Sequence, residues 1–177
     1  MSSYRLINKD VVSRIVELVE GQRLQESSSG QLPMARRAED FPYMMSQYGL
    51  VPTITFFLSK IDDEKSRNAF SSGLKYFSGK DTGNSNKYAV INDGVNSRGK
   101  GYASYLSLVL IWPLGDIMKQ YKEIENLSGY SLISNQRDDP RNVLLRGLGT
   151  LEKYAPKIEI LSLPALLELK KILRALS

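Results

Sequence analysis

The chain contains no cysteine and no histidine among its 177 residues. Without cysteine it can form neither a disulfide nor a thiolate metal site. Without histidine it lacks the commonest general base and the commonest metal ligand, and the usual serine and cysteine triads are excluded. We therefore expect no catalytic residue, no bound metal and no cofactor.

Long apolar runs are also absent. The most apolar stretch covers residues 106–114, far fewer than the roughly 20 residues that a bilayer requires. The chain starts with the polar sequence MSSYRLINKD, which lacks the apolar core of a secretory signal. We expect a soluble, cytoplasmic protein.

Positive charge is in modest excess, with a formal net charge of +5 and a sequence pI of about 9.3. This basicity is compatible with a phosphate-backbone partner without demonstrating one. The length of 177 residues favours a single domain over residues 1–177. Its core should be large enough to be stable without disulfides or structural metal ions.

The most informative stretch covers residues 41–60, FPYMMSQYGLVPTITFFLSK. It predicts two short helices that meet at a sharp corner. Pro42 can open the first helix, because a proline in the first turn sacrifices no hydrogen bond. Gly49 can close it in a left-handed conformation. The second helix should bury an apolar stripe, formed by Ile54, Phe57, Leu58 and Ile61.

Apolar spacing and capping residues predict further helices at residues 10–23, 32–40, 62–77, 102–127, 139–155 and 162–176. Pro113 should kink the helix over 102–127, with the neighbouring Trp112 either packed in the core or stacked on a base. Gly73 should weaken its helix by about 1 kcal/mol relative to alanine. Ser162 is the expected cap of the C-terminal helix. The fold class is therefore all-α, a compact bundle of about six or seven helices.

Residues 79–101 form the one segment rich in glycine, asparagine and serine, and we expect a long loop inserted between helices. Residues 88–91 could pair briefly as a strand, followed by a turn at 92–94. Two interpretations stay open: a solvated insertion, or a basic flap that closes on RNA. The flap would use the segment's cations, Lys80, Lys87, Arg98 and Lys100.

Cations also recur on the predicted helices. The helix that starts at Asp139 should carry an apolar stripe, formed by Leu144, Leu148, Leu151, Ala155 and Ile158. Arg146, Lys153 and Lys157, with Thr150 between them, follow helical spacing and predict a basic stripe on the opposite side. Lys157 belongs to it only if Pro156 does not end the helix at Ala155. Such a stripe is either an ordinary solvated face or a row of charges along a sugar–phosphate backbone. The candidate RNA-binding residues are Arg141, Arg146, Lys153 and Lys157, followed by Arg36, Arg37 and Lys60.

The order of residues in 41–60 resembles the central signature of the small subunit of the type III-B CRISPR effector, the Cmr RNA-targeting complex. The fitting positions are Pro42, Gly49, Leu50, Phe57, Leu58 and Lys60. A second similar patch spans residues 141–155. It offers Arg141, Leu148, Leu151, Lys153, Tyr154 and Ala155, and it departs from the family pattern at Thr150 and Glu152.

The resemblance implies a non-catalytic helical subunit in antiviral defence. Such subunits stack on copies of themselves along the belly of a ribonucleoprotein filament, beside other Cmr subunits. They would support the guide RNA–target RNA duplex through backbone contacts, while base pairing reads the sequence.

Two alternatives come from other functional classes. A helical scaffold would contact proteins only, with no direct RNA contact. A nuclease would need magnesium held by the acidic clusters at Asp62-Asp63-Glu64 and Asp138-Asp139. Because both clusters precede predicted helices, capping accounts for them better than metal binding does.

Overall fold

The computed structural model describes residues 8–23, 32–90, 98–135 and 137–176. Within these ranges the chain is all-α and has no strand, as the sequence predicts. The ten helices are α1 Lys9–Arg23, α2 Pro33–Tyr48, α3 Leu50–Ser59, α4 Glu64–Phe77, α5 Asn84–Val90, α6 Arg98–Ile111, α7 Leu114–Met118, α8 Gly129–Ser134, α9 Pro140–Leu151 and α10 Ala155–Leu176. A short 3₁₀ helix, Glu125–Leu127, precedes α8.

Helix α6 is the centre of the bundle. Every residue from position 101 to 110 is buried, which is typical of a helix covered on all sides. Helices α2 and α4 form its largest interfaces, and α3, α7 and α8 also contact it. Helices from both before and after α6 in the sequence therefore pack around it, and residues from most of the chain contribute to the core.

Helix α2 continues through Pro42, so the prediction that Pro42 opens a helix was wrong. A different proline, Pro33, occupies the first turn. Ala38, Phe41 and Met45 lie on either side of Pro42 and are buried. Pro42 has no N–H, so the helix lacks one backbone hydrogen bond there. The burial of these three side chains stabilises the helix despite that loss.

The corner after α2 is confirmed. Gly49 has φ +95° and ψ 166°, and its N–H donates to the carbonyl of Met45. The predicted apolar stripe is buried, with Ile54, Phe57 and Leu58 on α3 and Ile61 just beyond its end. Its geometry follows directly from one glycine and a three–four spacing of apolar residues.

The predicted loop over residues 79–101 is only partly a loop. Residues 84–90 form α5 and α6 already begins at Arg98, so the strand expected at 88–90 is wrong for those positions. Asn86 anchors the first turn, since its side-chain amide donates to the carbonyl of Asp81 at 3.0 Å. Residue 91 and the turn predicted at 92–94 lie outside the described residues.

The single kinked helix predicted over 102–127 is two helices and a 3₁₀ turn. Helix α6 ends at Ile111, directly before Trp112 and Pro113, because proline cannot continue the hydrogen-bond ladder. Trp112 is 3 % exposed, which confirms that it packs in the core. The connection predicted over 128–139 contains another helix, α8, capped by Ser128.

The last two helices divide differently from the prediction. Helix α9 ends at Leu151, and α10 then runs unbroken from Ala155 to Leu176. Residues 153 and 154 form tight turns, with N–H groups donating to the carbonyls of Thr150 and Leu151. As the second residue of α10, Pro156 costs no hydrogen bond, whereas a continuous helix would lose one there.

Ser162 is therefore buried inside α10 and is not a cap, and Pro164 also lies within that helix. The hydroxyl of Ser162 donates to the carbonyl of Glu159 at 3.5 Å. Pro164 is on the exposed side, where water can solvate the carbonyl that proline leaves unpaired.

Helix α10 packs antiparallel along α2. Ser162 lies against Met45, Arg174 pairs with Glu39, and Glu159 accepts the N–H of Leu50 at 2.7 Å. In the part of the chain that the structure describes, no helix combines the length and apolarity needed to cross a membrane.

Candidate nucleic-acid interface

Three of the seven predicted RNA-binding cations meet at the C-terminal end of α3. Arg37 comes from α2, Lys60 directly follows α3, and Arg141 comes from α9. Two aromatic side chains, Phe56 and Tyr102, connect Arg37 to Lys60, and Arg141 reaches the backbone of Leu58 in the same turn of α3. We call the three cations and the two aromatic residues the α3 cation cluster.

Arg37 lies over Tyr102, with its guanidinium carbon 4.0 Å from the ring centroid. It also pairs with Asp40 at 2.8 Å, and its side chain is 17 % exposed. Its Nε is buried and has no hydrogen-bond partner. The aromatic contact and the ion pair hold the guanidinium at the edge of the core, where part of its donor capacity is unused.

Lys60 extends this arrangement to the surface. Its Nζ lies 5.1 Å from the ring centroid of Phe56. The Phe56 ring meets Tyr102 edge-on, with centroids 5.9 Å apart. A continuous chain of contacts therefore runs from Arg37 through two aromatic rings to Lys60.

Arg141 reaches the same end of α3 from a distant part of the sequence. Its Nη2 donates to the carbonyl of Leu58 at 3.4 Å, across 83 positions. The contact places a cation at the negative end of a helix, where it is favoured. Like Arg37, Arg141 has a buried Nε without a partner.

Arg36 is exposed on α2, adjacent in sequence to Arg37 but on a different face, since successive helical residues differ by about 100°. Among the described residues, no hydrogen bond, ion pair or ring contact joins Arg36 to the cluster.

The predicted basic stripe is not a stripe of one helix. Arg146 is on α9, Lys153 is in the turn after it, and Lys157 is on α10. The break after Leu151 ends the helical spacing on which the stripe depended. All three side chains are nevertheless exposed.

Local contacts further separate these three cations. Arg146 pairs with Asp138 at 3.1 Å. Lys157 lies 5.6 Å from the ring centroid of Tyr121, which in turn contacts Tyr154. Of the two groups of cations, the α3 cation cluster is the more closely connected.

The cations of the predicted flap have structural contacts instead. Lys87 pairs with Glu17 at 3.7 Å, and Lys80 reaches the carbonyl of Ile133 at 3.5 Å. Lys100 is buried, with 6 % exposure. The side chain of Arg98 lies outside the described residues. These positions give no support to a basic flap.

The acidic clusters act as helix caps. Asp63 accepts the N–H of Ser66 at 2.7 Å, and Asp139 accepts the N–H of Arg141 at 3.0 Å. The backbone hydrogen bond from Ser66 lowers the pKa of Asp63 from its ordinary value. Wherever the chain is described, no group of three acidic side chains is arranged to hold a metal ion.

Phe56 and Tyr102 were not predicted as site residues. A local signal for Phe56 was available, because it precedes Lys60 by four positions and such pairs share a helix face. The contact of Tyr102 with Arg37 joins α6 to α2 and had no local signal.

Comparison of the chain with protein-family models, curated proteins and solved structures found no match in any of the three.

Proposed function

We propose that this protein is a non-catalytic small subunit of a type III-B CRISPR (Cmr) ribonucleoprotein. In this role it stacks on its own copies and on other Cmr subunits, and it helps to hold the guide RNA–target RNA duplex through backbone contacts. The setting would be the cytoplasm.

One observation carries the proposal. The two patches that resemble the Cmr small subunit, residues 41–60 and 141–155, are distant in sequence but touch through Arg141 and Leu58. Their contact forms part of the α3 cation cluster. The similar residues thus coincide with the place where predicted cations converge, as a shared RNA-binding surface would require.

The first experiment is isolation of the tagged full-length chain from its native cells, with identification of the bound proteins and RNA. The proposal predicts CRISPR RNA and other Cmr subunits. Recovery of the chain without RNA and without those subunits would contradict it.

The second experiment tests the RNA face in the assembled complex. Removing the charges of Arg37 and Lys60 together (R37Q/K60Q) should weaken duplex RNA binding and reduce the slope of log affinity against log salt. Each lost phosphate contact should change that slope by about one unit. The control is Lys171→Gln, because Lys171 is an exposed cation on α10 paired with Glu168.

A matched pair, R146Q/K153Q, asks whether the second group of cations also meets RNA. A smaller salt slope for this pair would extend the RNA face to α9. An unchanged affinity and slope would remove Arg146 and Lys153 from it.

The alternative, a protein-only scaffold, is favoured by apolar side chains exposed on α2 and α10. Tyr43 is 66 % exposed and Ile160 is 76 % exposed, and the two helices pack side by side. Chemical footprinting of the RNA in the complex separates the two functions. Phosphates protected near this subunit indicate an RNA contact, and their absence indicates a scaffold.

A further inference from the structure

Phe56 stands out among the exposed apolar residues because a cation lies over its ring. It is 38 % exposed, whereas the neighbouring Phe57 is fully buried. The Nζ of Lys60 lies over its ring. Tyr43 and Tyr48 are more exposed, but no cation lies over either ring in the described parts of the chain.

The Phe56 ring packs against two neighbouring aromatic rings in perpendicular arrangements. It meets Tyr102 at 74° and Phe57 at 67°, so neither ring is stacked parallel upon it. The group above the ring is Lys60, an exposed and long side chain that can move aside. The ring is therefore fixed in orientation and open to a flat partner.

We propose that Phe56 is a stacking platform for an unpaired RNA base, with Lys60 positioned for an adjacent phosphate. This inference rests on the proposed function and extends it, since that function assigns only backbone contacts with a duplex. Proteins bind single-stranded RNA by combining cations along the backbone with aromatic rings that stack on bases. The α3 cation cluster contains both kinds of group within one chain of contacts.

The charge balance favours RNA over a protein partner. Lys60 has no acidic partner in the described coordinates, and it lies on the exposed ring itself. Asp40 offsets the charge of Arg37, whose Nε is buried, so the exposed Lys60 supplies the uncompensated charge beside the ring. A phosphate beside the Phe56 ring would meet the Nζ of Lys60, which lies 5.1 Å from the ring centroid.

The test uses Phe56→Leu, which keeps an apolar side chain but removes the ring, and Phe56→Tyr, which keeps the ring. The full-length chain is titrated with single-stranded RNA carrying 2-aminopurine and, separately, with fully paired duplex RNA. Phe56→Leu should weaken single-strand binding by about 5- to 150-fold, as expected for the loss of one stacked base. Phe56→Tyr should bind like the natural protein.

The salt dependence identifies the mechanism. Phe56→Leu should leave the salt slope of single-strand binding unchanged, because stacking involves no phosphate charge, and it should weaken single-strand binding more than duplex binding. Lys60→Gln should reduce the slope. The matched control, Tyr43→Leu, removes an exposed aromatic ring outside the cluster and should change neither measurement.

Unchanged single-strand affinity and unchanged 2-aminopurine fluorescence in Phe56→Leu would overturn the stacking inference. If Lys60→Gln still weakened RNA binding, the proposed function would survive that result. Absence of binding to either RNA by the natural protein would overturn both. If Phe56→Leu instead weakened only the association with co-purified proteins, Phe56 would be a protein contact and the inference would also be wrong.

Discussion

Gly49 determines the corner between α2 and α3. Its φ of +95° lies in a region that residues with a Cβ rarely adopt. Space is not the constraint, because an added Cβ would lie 3.4 Å from Oε1 of Glu159 and 3.7 Å from Cδ of Pro52. A side chain at position 49 would therefore destabilise the fold because of the backbone conformation, and not because of a steric clash.

We predict that Gly49→Ala lowers the free energy of unfolding by about 1–3 kcal/mol. The control is Gly149→Ala in α9, where an added Cβ would meet nothing within 4 Å. That change should raise the stability by about 0.4–1 kcal/mol. Urea unfolding measures both, and equal effects of the two changes would contradict the argument.

Asp63 gives a prediction that depends on pH. Asp63→Ala should cost about 0.5–2 kcal/mol of stability at neutral pH, because α4 loses its N-cap. The folded state lowers the pKa of Asp63 from 3.8, so its ionised form stabilises the protein above that value. This contribution is lost as the pH falls through the lower pKa of the folded state.

Denaturant unfolding at a series of pH values tests whether this stabilisation is lost towards low pH. The stability difference between the natural protein and Asp63→Ala should shrink as the pH falls below about 3.8. Asp63→Asn is the control, since asparagine caps a helix without titrating. Its advantage over alanine should stay constant, and a parallel decline in that variant would show another cause.

At the scale of elements, the packing of α4 against α6 reverses one sequence prediction. Gly73 was expected to weaken α4 relative to alanine. In the structure a Cβ at position 73 would overlap the Oγ of Ser107 and lie 2.9 Å from its Cβ. The glycine allows the two helices to approach closely, and its helix propensity is secondary.

We predict that Gly73→Ala destabilises the protein by about 1–3 kcal/mol through overpacking. Ser107→Gly removes the atoms that an added Cβ would meet, so Gly73→Ala should cost less in that background. A double-mutant cycle in denaturant measures this coupling. Additive effects would mean that the helices do not meet at this pair.

The division of the predicted helix into α9 and α10 affected its two stripes differently. The basic stripe was wrong, whereas the apolar stripe is buried except for the half-buried Leu148. Leu144, Leu151, Ala155 and Ile158 are buried, although a turn separates α9 from α10. Burial can reorient successive helices so that both face the core. It places no such requirement on Arg146, Lys153 and Lys157, which only share an exposed surface.

At the scale of the whole molecule, the absence of histidine has a measurable consequence. Histidine is the one side chain whose ordinary pKa lies between pH 5 and 8. We predict that the free energy of unfolding changes by less than about 1 kcal/mol between about pH 5.5 and 7.5. Chemical denaturation at several pH values measures it.

Asp116 is a described carboxyl group whose environment raises its pKa above the ordinary value. Burial raises its pKa, while Lys119 and Asn8 act in the opposite direction. A folded-state pKa above the unfolded value loses stability as the pH rises through it. Asp116→Asn should therefore remove a decline in stability that begins as the pH rises above about 3.8, and an equal decline in that variant would show another cause.

The sequence identified most cations of the candidate interface by their charge. It did not predict which of them lie close together in the fold. Arg37, Lys60 and Arg141 were chosen for charge, helical facing or resemblance. Their common position depends on α6 carrying Tyr102 between α2 and α3, and on α9 packing against α3. Local spacing contains no information on such contacts between distant segments. Whether these residues bind RNA stays a prediction.

The sequence alone determined the all-α class, the Gly49 corner, and the caps at Asp63 and Asp139. These features depend on neighbouring residues, through backbone conformation, side-chain hydrogen bonds and apolar spacing. Only the tertiary structure decided that α2 and α10 continue through Pro42 and Pro164, that the helix ends at Leu151, and that distant cations meet beside α3. Those outcomes depend on burial between helices far apart in the chain, which can outweigh a local helix-breaking preference.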